Sequence, residues 1–411
     1  MPMTVAPAER PRLIRTLGLS HVVLYGLGVT VGAGIYVLVG EVISLSGDHA
    51  PVAFLVAGLV MLLPAACFAE FTGRLPFAAA EAHFVRAGFN SSLLFLLVGL
   101  GVAAVGIVSS AAIAHGSAGY AAELVALPYE VLLVFFVVLS GIVASLGVRQ
   151  SILVAGLLTL IEVGGLLLLV GGALWSGADF AGQAAKAVPL SLSPALWAGI
   201  FGSSLLAFFA FIGFEDIDSI AEETINPQKT LPRGIFLTLA ITLVLYILVV
   251  LAALATVSIG DLSGSRAPLA IVFDRTTGLS PVAITVIAVL ATVNGIIVQI
   301  VMAGRVIYGL ANEGALPKVL ARVNATTHTP VIATVIATLI LLVLTLAFTI
   351  TALAQWTSII TLAIFLLVCI ALARIKHRND PAPAGTFIVS RWVPYGGALA
   401  CFALLALGVM N

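Results

Sequence analysis

The stretch Thr30-Val31-Gly32-Ala33-Gly34-Ile35-Tyr36 sets two glycines in the middle of a long apolar run. Phe209-Ala210-Phe211-Ile212-Gly213-Phe214-Glu215 interrupts another run in the second half of the chain. Each run is long enough to cross the ~30 Å hydrocarbon layer as a helix, so each interruption falls at bilayer depth. Unwound backbone there exposes amides and carbonyls that hydrocarbon cannot satisfy, and it survives only where it lines a cavity and meets a polar ligand. Where a half-helix starts near Gly34, free N–H groups and the positive end of the helix dipole suit a carboxylate. The carbonyls that end the preceding half-helices suit an ammonium group, and a zwitterionic amino acid answers both. Glycine fits because it admits positive φ and lets a ligand approach the backbone. Tight helix packing through small residues is the other reading of Gly32 and Gly34, and for that pair alone it stands open. The matching break at Gly213 favours the site.

Around these breaks the composition is that of a membrane protein. Of 411 residues, 61% are hydrophobic and 9% charged, and mean hydropathy is +1.22, whereas a soluble domain carries about 25% charged residues. A transmembrane barrel needs segments alternating in polarity, which the run Leu166-Leu167-Leu168-Leu169-Val170 contradicts. The chain is therefore expected to be all-α, with eleven spans near 18–44, 51–73, 92–115, 130–146, 151–174, 197–222, 234–257, 281–309, 331–350, 353–373 and 393–410. Arg10, Arg12 and Arg15 precede an apolar run that continues to about Leu45, far beyond a signal-peptide core, so the first span is read as uncleaved. With residues 1–17 in the cytoplasm, fifteen of the 18 Lys and Arg, among them Arg149, fall on inner segments and only Lys186, Arg266 and Arg275 on outer ones. That is the positive-inside asymmetry, and one miscounted span early in the chain would scramble it. A cytoplasmic membrane location follows. The final span leaves the chain's end outside. Cys67, Cys369 and Cys401 lie in apolar runs at wide spacing and read as small packed hydrophobes.

Spans one to five (18–174) and six to ten (197–373) can be laid over one another, with 393–410 as an additional helix. Units of five spans enter the membrane from opposite sides, which is an inverted repeat, and in both the first span is the broken one. Corresponding breaks point to a transport site at the repeat interface.

These residues resemble the amino acid–polyamine–organocation (APC) superfamily of permeases. Gly26-Leu27-Gly28-Val29-Thr30-Val31-Gly32-Ala33-Gly34-Ile35-Tyr36 is similar to its first-helix motif and Phe208-Phe209-Ala210-Phe211-Ile212-Gly213-Phe214-Glu215 to its sixth. The likeness continues through Ala221-Glu222-Glu223-Thr224-Ile225-Asn226-Pro227, through Phe68-Ala69-Glu70 to Arg74-Leu75-Pro76, and through Ala303-Gly304-Arg305 to Leu316-Pro317. The resemblance implies the LeuT/APC-type five-plus-five inverted repeat with helices 1 and 6 broken, amino acid substrates, and proton coupling or exchange against a counter-substrate. It puts the carboxylate-binding amides on Ala33, Gly34 and Ile35, the ammonium-binding carbonyls on Val31, Phe209, Ala210 and Ile212, and a gate or pocket wall on Phe214. Where many members have Gly-Gly-Ala-Tyr before the third span, this chain has Ala79-Ala80-Glu81-Ala82, expected at the inner gate.

In the fifth span, where some proton-coupled members carry a lysine, Leu158-Thr159-Leu160-Ile161-Glu162-Val163 carries a glutamate. A charged residue at mid-span costs roughly 2.5–3.5 kcal/mol on insertion scales, and such residues face a cavity or a partner. Glu162 is accordingly the expected proton carrier, against the alternative of a carboxyl hydrogen-bonded to a neighbouring helix. Glu215 is close enough to the second break to reach a substrate with an extra positive charge. Asp216, Asp218, Glu222 and Glu223 follow on the half-helix that runs to the cytoplasm. Thr292 and Asn294 could ligate a cation in a sodium-coupled symporter, and Ser109, Ser110 and His115 are weaker candidates, since such residues more often bond to adjacent helices.

Other classes find less support. No G-x-x-x-x-G-K-[ST] loop occurs for an ATP-driven pump, and the glycines at Gly26, Gly28 and Gly32 miss the dinucleotide spacing by one residue. The six histidines make no H-E-x-x-H, so a membrane-embedded enzyme lacks its machinery and no metal or cofactor is implied. A net charge of zero with no basic tract gives no nucleic-acid partner. A channel differs from a transporter in lacking counterflow. The partners implied are a small amino acid, protons or a counter-substrate, and the bilayer.

Overall fold

The computed structural model describes residues 15–75, 80–147 and 152–409. Arg10, Arg12, Arg149, Pro76 and Ala79, which enter the charge and motif readings, lie outside them, as does the side chain of Glu222. Helix dominates because a chain in hydrocarbon must satisfy every backbone donor and acceptor within itself. In order come α1 (Leu19–Val31), α2 (Gly34–Ser46), α3 (Ala50–Arg74), α4 (Ala80–Phe89), α5 (Ser92–Ala122), α6 (Tyr129–Leu146), α7 (Ile152–Trp175) and α8 (Phe180–Ala187). Then follow α9 (Pro194–Phe208), α10 (Pro227–Thr256), α11 (Ile259–Ser263), α12 (Pro268–Thr277), α13 (Val282–Asn312), α14 (Val331–Ala347), α15 (Ile350–His377) and α16 (Trp392–Val409).

Eight segments are long and apolar enough to cross a membrane, and α1, α14 and α16 are shorter apolar helices. With α1 and α2 as halves of one broken span, and α9 with the 3-10 segments Phe209–Phe211 and Phe214–Glu223 as another, the described residues make eleven passes where the sequence places them. The largest boundary differences are instructive. α10 begins at Pro227, seven residues before the apolar run, because Gln228, Lys229 and Arg233 end the hydrophobic pattern without ending the helix. Asn226, at φ +50°, turns the chain into it, and Pro227 stands at its first position, where a missing N–H costs nothing. Hydropathy reads where lipid stops; the helix stops where its capping does.

The packing is two-fold. Like positions of the two five-span units meet each other: α3 lies on α10, α5 on α13 and α6 on α14. Other contacts come in related pairs, α1 on α7 answered by α9 on α15, and α1 on α10 answered by α9 on α3. This is the five-plus-five architecture, and it places the two broken spans at the centre. α1 approaches α7 closely along one stripe, where Gly156 meets Leu24, Gly28 meets Thr159 and Gly32 meets Glu162. The other face of α7 leaves Leu157, Leu160, Leu167 and Leu168 exposed, as lipid contact requires.

We call the side on which the chain begins the N-terminal face; by alternation the C-terminal ends of α6 and α13 lie there too. A fully buried carboxylate, Glu70, fastens the outer spans at this face. It pairs with Arg74 Nε at 2.9 Å and Lys376 Nζ at 2.7 Å, and accepts the Val389 amide at 2.9 Å.

Candidate functional site

At the first break, Gly32 and Ala33 form a two-residue turn between α1 and α2. Gly32 is right-handed at φ −45° and ψ −73°, and Ala33 has φ −93°. Positive φ is therefore not what the glycines provide here. What matters is the missing Cβ: one added to Gly34 would stand 2.5 Å from Ala210 Cα, and one on Gly32 3.3 Å from Glu162 Oε2. The two breaks thus touch backbone to backbone. α2 starts at Gly34 with no side chain capping its first turn, which leaves the amide end of the half-helix to a ligand.

At the second break the backbone freedom of glycine is used. Gly213 has φ +119°, and a Cβ there would lie 2.8 Å from the Val29 carbonyl oxygen. Ile212 is extended, and Phe214–Glu223 continues as a ten-residue 3-10 helix rather than the expected α-helical half. Runs of this form beyond three or four residues are uncommon. Glu215 folds back so that its Oε2 accepts the Gly213 amide at 2.9 Å. The end of the 3-10 segment is tied to the N-terminal strap, where Leu17 N donates to Glu223 O at 3.0 Å and Ile225 N to Leu17 O at 2.9 Å.

One residue joins both breaks. The Tyr246 hydroxyl, fully buried on α10, lies 2.9 Å from Thr30 O and 2.8 Å from Ala210 O, one carbonyl from each broken span, and shares its proton between them. Nothing in the notation of the breaks points to it. The signal available was a lone hydroxyl in the apolar run Leu243–Val249, since a buried Tyr O–H usually finds a partner.

A cavity of about 830 Å³ runs from the breaks to the N-terminal face. Gly32, Ala33, Gly34, Phe209 and Ile212 line its deep end, and Glu313 and His328 its mouth. On the opposite side the breaks are covered. Gly40 packs on the Leu262 carbonyl, Gly119 on that of Arg266, and Gly116 on Val37. Tyr120 donates to Tyr36 O at 2.9 Å, and Tyr36 in turn to Glu162 O at 2.8 Å.

The other expected site residues divide. Val31, Ile35 and Ala210 are buried beside the cavity without lining it. Two of the four expected carbonyls already have donors: Ala210 O takes Tyr246, and Phe209 O takes the Ile212 amide at 3.2 Å. Phe214 stands in an aromatic cluster with Phe68 and Phe365, centroids 5.7 and 5.6 Å away, while Phe209 forms the cavity wall. Glu215 faces a separate space of only about 20 Å³. Glu162 abuts Gly32 from α7, 2% exposed, and neither carboxyl oxygen has a hydrogen-bond partner. Asn294 and Ser109 line the cavity. The Thr292 hydroxyl bonds to Ala288 O and Val289 O of its own helix, and Ser110 likewise to Gly106 O. His115 is held by Tyr129 and the Phe348 carbonyl. Between the breaks and the mouth the cavity is lined by Glu81, Asp216, Asp218 and Arg305. Glu81, expected at the inner gate, thus belongs to the cavity wall.

Known proteins are similar to this chain in sequence. A cationic amino acid transporter of Arabidopsis thaliana (number 2, vacuolar) is 29% identical over 388 residues, 89% of this chain and 60% of its own length. The branched-chain amino acid permease BcaP of Bacillus subtilis is 26% identical over 407 residues, 93% of this chain and 85% of the permease. A methylthioribose transporter of the same bacterium is 25% identical over 407 residues. The chain spans three fifths of the length of the plant relative and most of that of the bacterial ones. The family model described as amino acid permease matches residues 17–411, and the chain, a multi-pass membrane protein, belongs to that family.

Proposed function

We propose that the protein is a secondary transporter that moves amino acids across the membrane by alternating access. One observation carries this: a cavity that reaches the N-terminal face ends at Gly32 and Gly34 of the first broken span and at Phe209 and Ile212 of the second, so a solute bound there is reachable from one side at a time. The substrate carboxylate would lie at the Ala33, Gly34 and Ile35 amides, where the helix dipole favours negative charge. The ammonium would lie at the carbonyls of Val31 and Ile212, with Phe209 as the wall. The names of the plant transporter and BcaP support amino acids as the class. Residues 18–174 and 197–373 would be the two repeats, with 393–410 added. The charge asymmetry supports a cytoplasmic N-terminal face and hence an inward-open state, in a cytoplasmic membrane.

For coupling we assign the proton to Glu162. Its unpartnered carboxyl stands against the turn at Gly32, so a change in its charge would act directly on the first break. Glu215 keeps its expected part in selectivity only as a secondary element of this reading, since its Oε2 accepts the Gly213 amide and the space it faces is about 20 Å³. Counterflow tests the function. Proteoliposomes loaded with an unlabelled mixture of the twenty amino acids are expected to accumulate labelled ones transiently, faster than empty vesicles. Equal rates in loaded and empty vesicles, with flux that does not saturate, would point to a channel and reject the proposal. Methylthioribose belongs in the same panel.

A further inference from the structure

We infer that the vestibule between the breaks and the N-terminal face holds a second subsite, built from Asp218 with Asp216 and Glu81, that takes the cationic side-chain group of a dibasic amino acid. It deepens the amino acid reading above and rests on it. The three carboxylates line the same cavity as Gly32 and Gly34, and they come from two elements, the 3-10 segment of span six and α4. Asp218 is 6% exposed and Glu81 7%, and Asp218 Oδ2 is buried without a hydrogen-bond partner. A carboxylate oxygen in that position is costly unless a donor or cation meets it. Among the described residues none of the ion pairs includes Glu81, Asp216 or Asp218. Glu313 at the mouth, by contrast, is paired with Arg86 Nη1 at 3.0 Å. Arg305 lines the cavity too, but it is exposed and, among the described residues, takes part in no ion pair within 4.0 Å.

The occupant is organic rather than a metal ion. Among the described residues no three acidic, histidine or cysteine side chains come close enough to share a metal. Carboxylates spread along a wall suit instead a guanidinium, whose planar fork presents five N–H donors, or an ammonium with three. The span also fits. A 3-10 helix advances about 2 Å per residue, so in the segment Phe214–Glu223 Asp218 lies roughly 8 Å beyond Phe214 toward the N-terminal face, and Asp216 about half as far. A lysine or arginine side chain of five or six bonds reaches about 6–7 Å at the ~1.2 Å advance per bond of an extended chain. With its α-amino and carboxylate groups at the breaks, a dibasic substrate would point its charge at these acids.

The test compares isosteres on the whole purified protein. Binding of labelled arginine, citrulline, lysine and norleucine is measured by scintillation proximity for the wild type, Asp218→Asn and Glu81→Gln, with size-exclusion profiles to confirm folding. Arginine is expected to bind at least about ten-fold tighter than citrulline, the size of one charged hydrogen bond, and lysine likewise over norleucine. In Asp218→Asn that ratio should fall towards one. Equal wild-type binding of arginine and citrulline would overturn the subsite while leaving amino acid transport standing, and this comparison needs no variant. A ratio unchanged in both variants would also overturn it. Binding of none of the four, together with absent counterflow, would remove the underlying transport reading as well. A thermal shift by sodium or magnesium alone that exceeds the shift by arginine would reassign the acids to an inorganic cation.

Discussion

Gly32 and Glu162 occupy one place from two sides, and neither can change without the other noticing. Glu162→Gln keeps the side chain's shape and removes its exchangeable charge. Uptake driven by a pH gradient in proteoliposomes is expected to fall to the level seen without a gradient, while counterflow continues; undiminished gradient-driven uptake would sink the assignment. Glu162 was legible in the sequence because an acid alone in an apolar span is expensive and has to be explained locally. Tyr246 was not. A single tyrosine near the middle of a helix has no pattern around it, and its importance lies in Thr30 and Ala210, 216 and 36 residues away. Asp218 was visible only as one charge in a cluster. Its unpartnered oxygen depends on what surrounds it in space.

The broken spans show how far local chemistry reaches at the scale of the element. Both interruptions were readable from glycine in apolar runs, yet for different reasons: Gly213 because of its φ of +119°, Gly34 because of its contact with Ala210. Gly34→Ala would force a Cβ into Ala210 Cα at 2.5 Å, overpacking that typically costs about 1–3 kcal/mol and would push the breaks apart. Amino acid binding is expected to weaken at least ten-fold by the 1.4 kcal/mol conversion, in protein that still elutes as a single species. Gly164→Ala, where a Cβ meets open space, serves as the control and should bind as the wild type does. Binding by Gly34→Ala equal to the control would show that the backbone contact is not needed. The 3-10 form of Phe214–Glu223 was beyond sequence reading, since α and 3-10 helices share their side-chain pattern over short stretches and differ in hydrogen-bond register.

For the molecule as a whole, the two-fold packing needs its outer spans held while the central ones carry the site. Glu70 does this at the N-terminal face, with Arg74, Lys376 and the Val389 amide around a carboxylate of zero exposure. Removing one member of a buried pair leaves the others uncompensated, at a cost of about 3–5 kcal/mol. Glu70→Gln is therefore expected to lower the thermal melting temperature clearly in detergent. An Arg86→Ala change, at a half-exposed pair with Glu313, should shift it little, since such pairs contribute under about 1 kcal/mol. Equal melting temperatures for the two variants would refute the contrast. The likeness around Glu70 and Arg74 is legible as a motif; that Lys376 of α15 and the Val389 amide before α16 complete its surroundings follows only from the fold.

Sequence alone determined the number of spans and the two places where they break. Those properties are local: bilayer thickness sets the length of an apolar run, and a glycine in mid-span marks itself. Tertiary structure decided which groups at the breaks remain for a ligand. Tyr246 takes the Ala210 carbonyl, the Gly213 amide occupies Glu215, Phe214 turns into an aromatic cluster, and Asp218 is left facing the cavity. Each outcome depends on a hydrogen bond or contact across the packed interior or within the break's own turn, and hydropathy carries no information about partners.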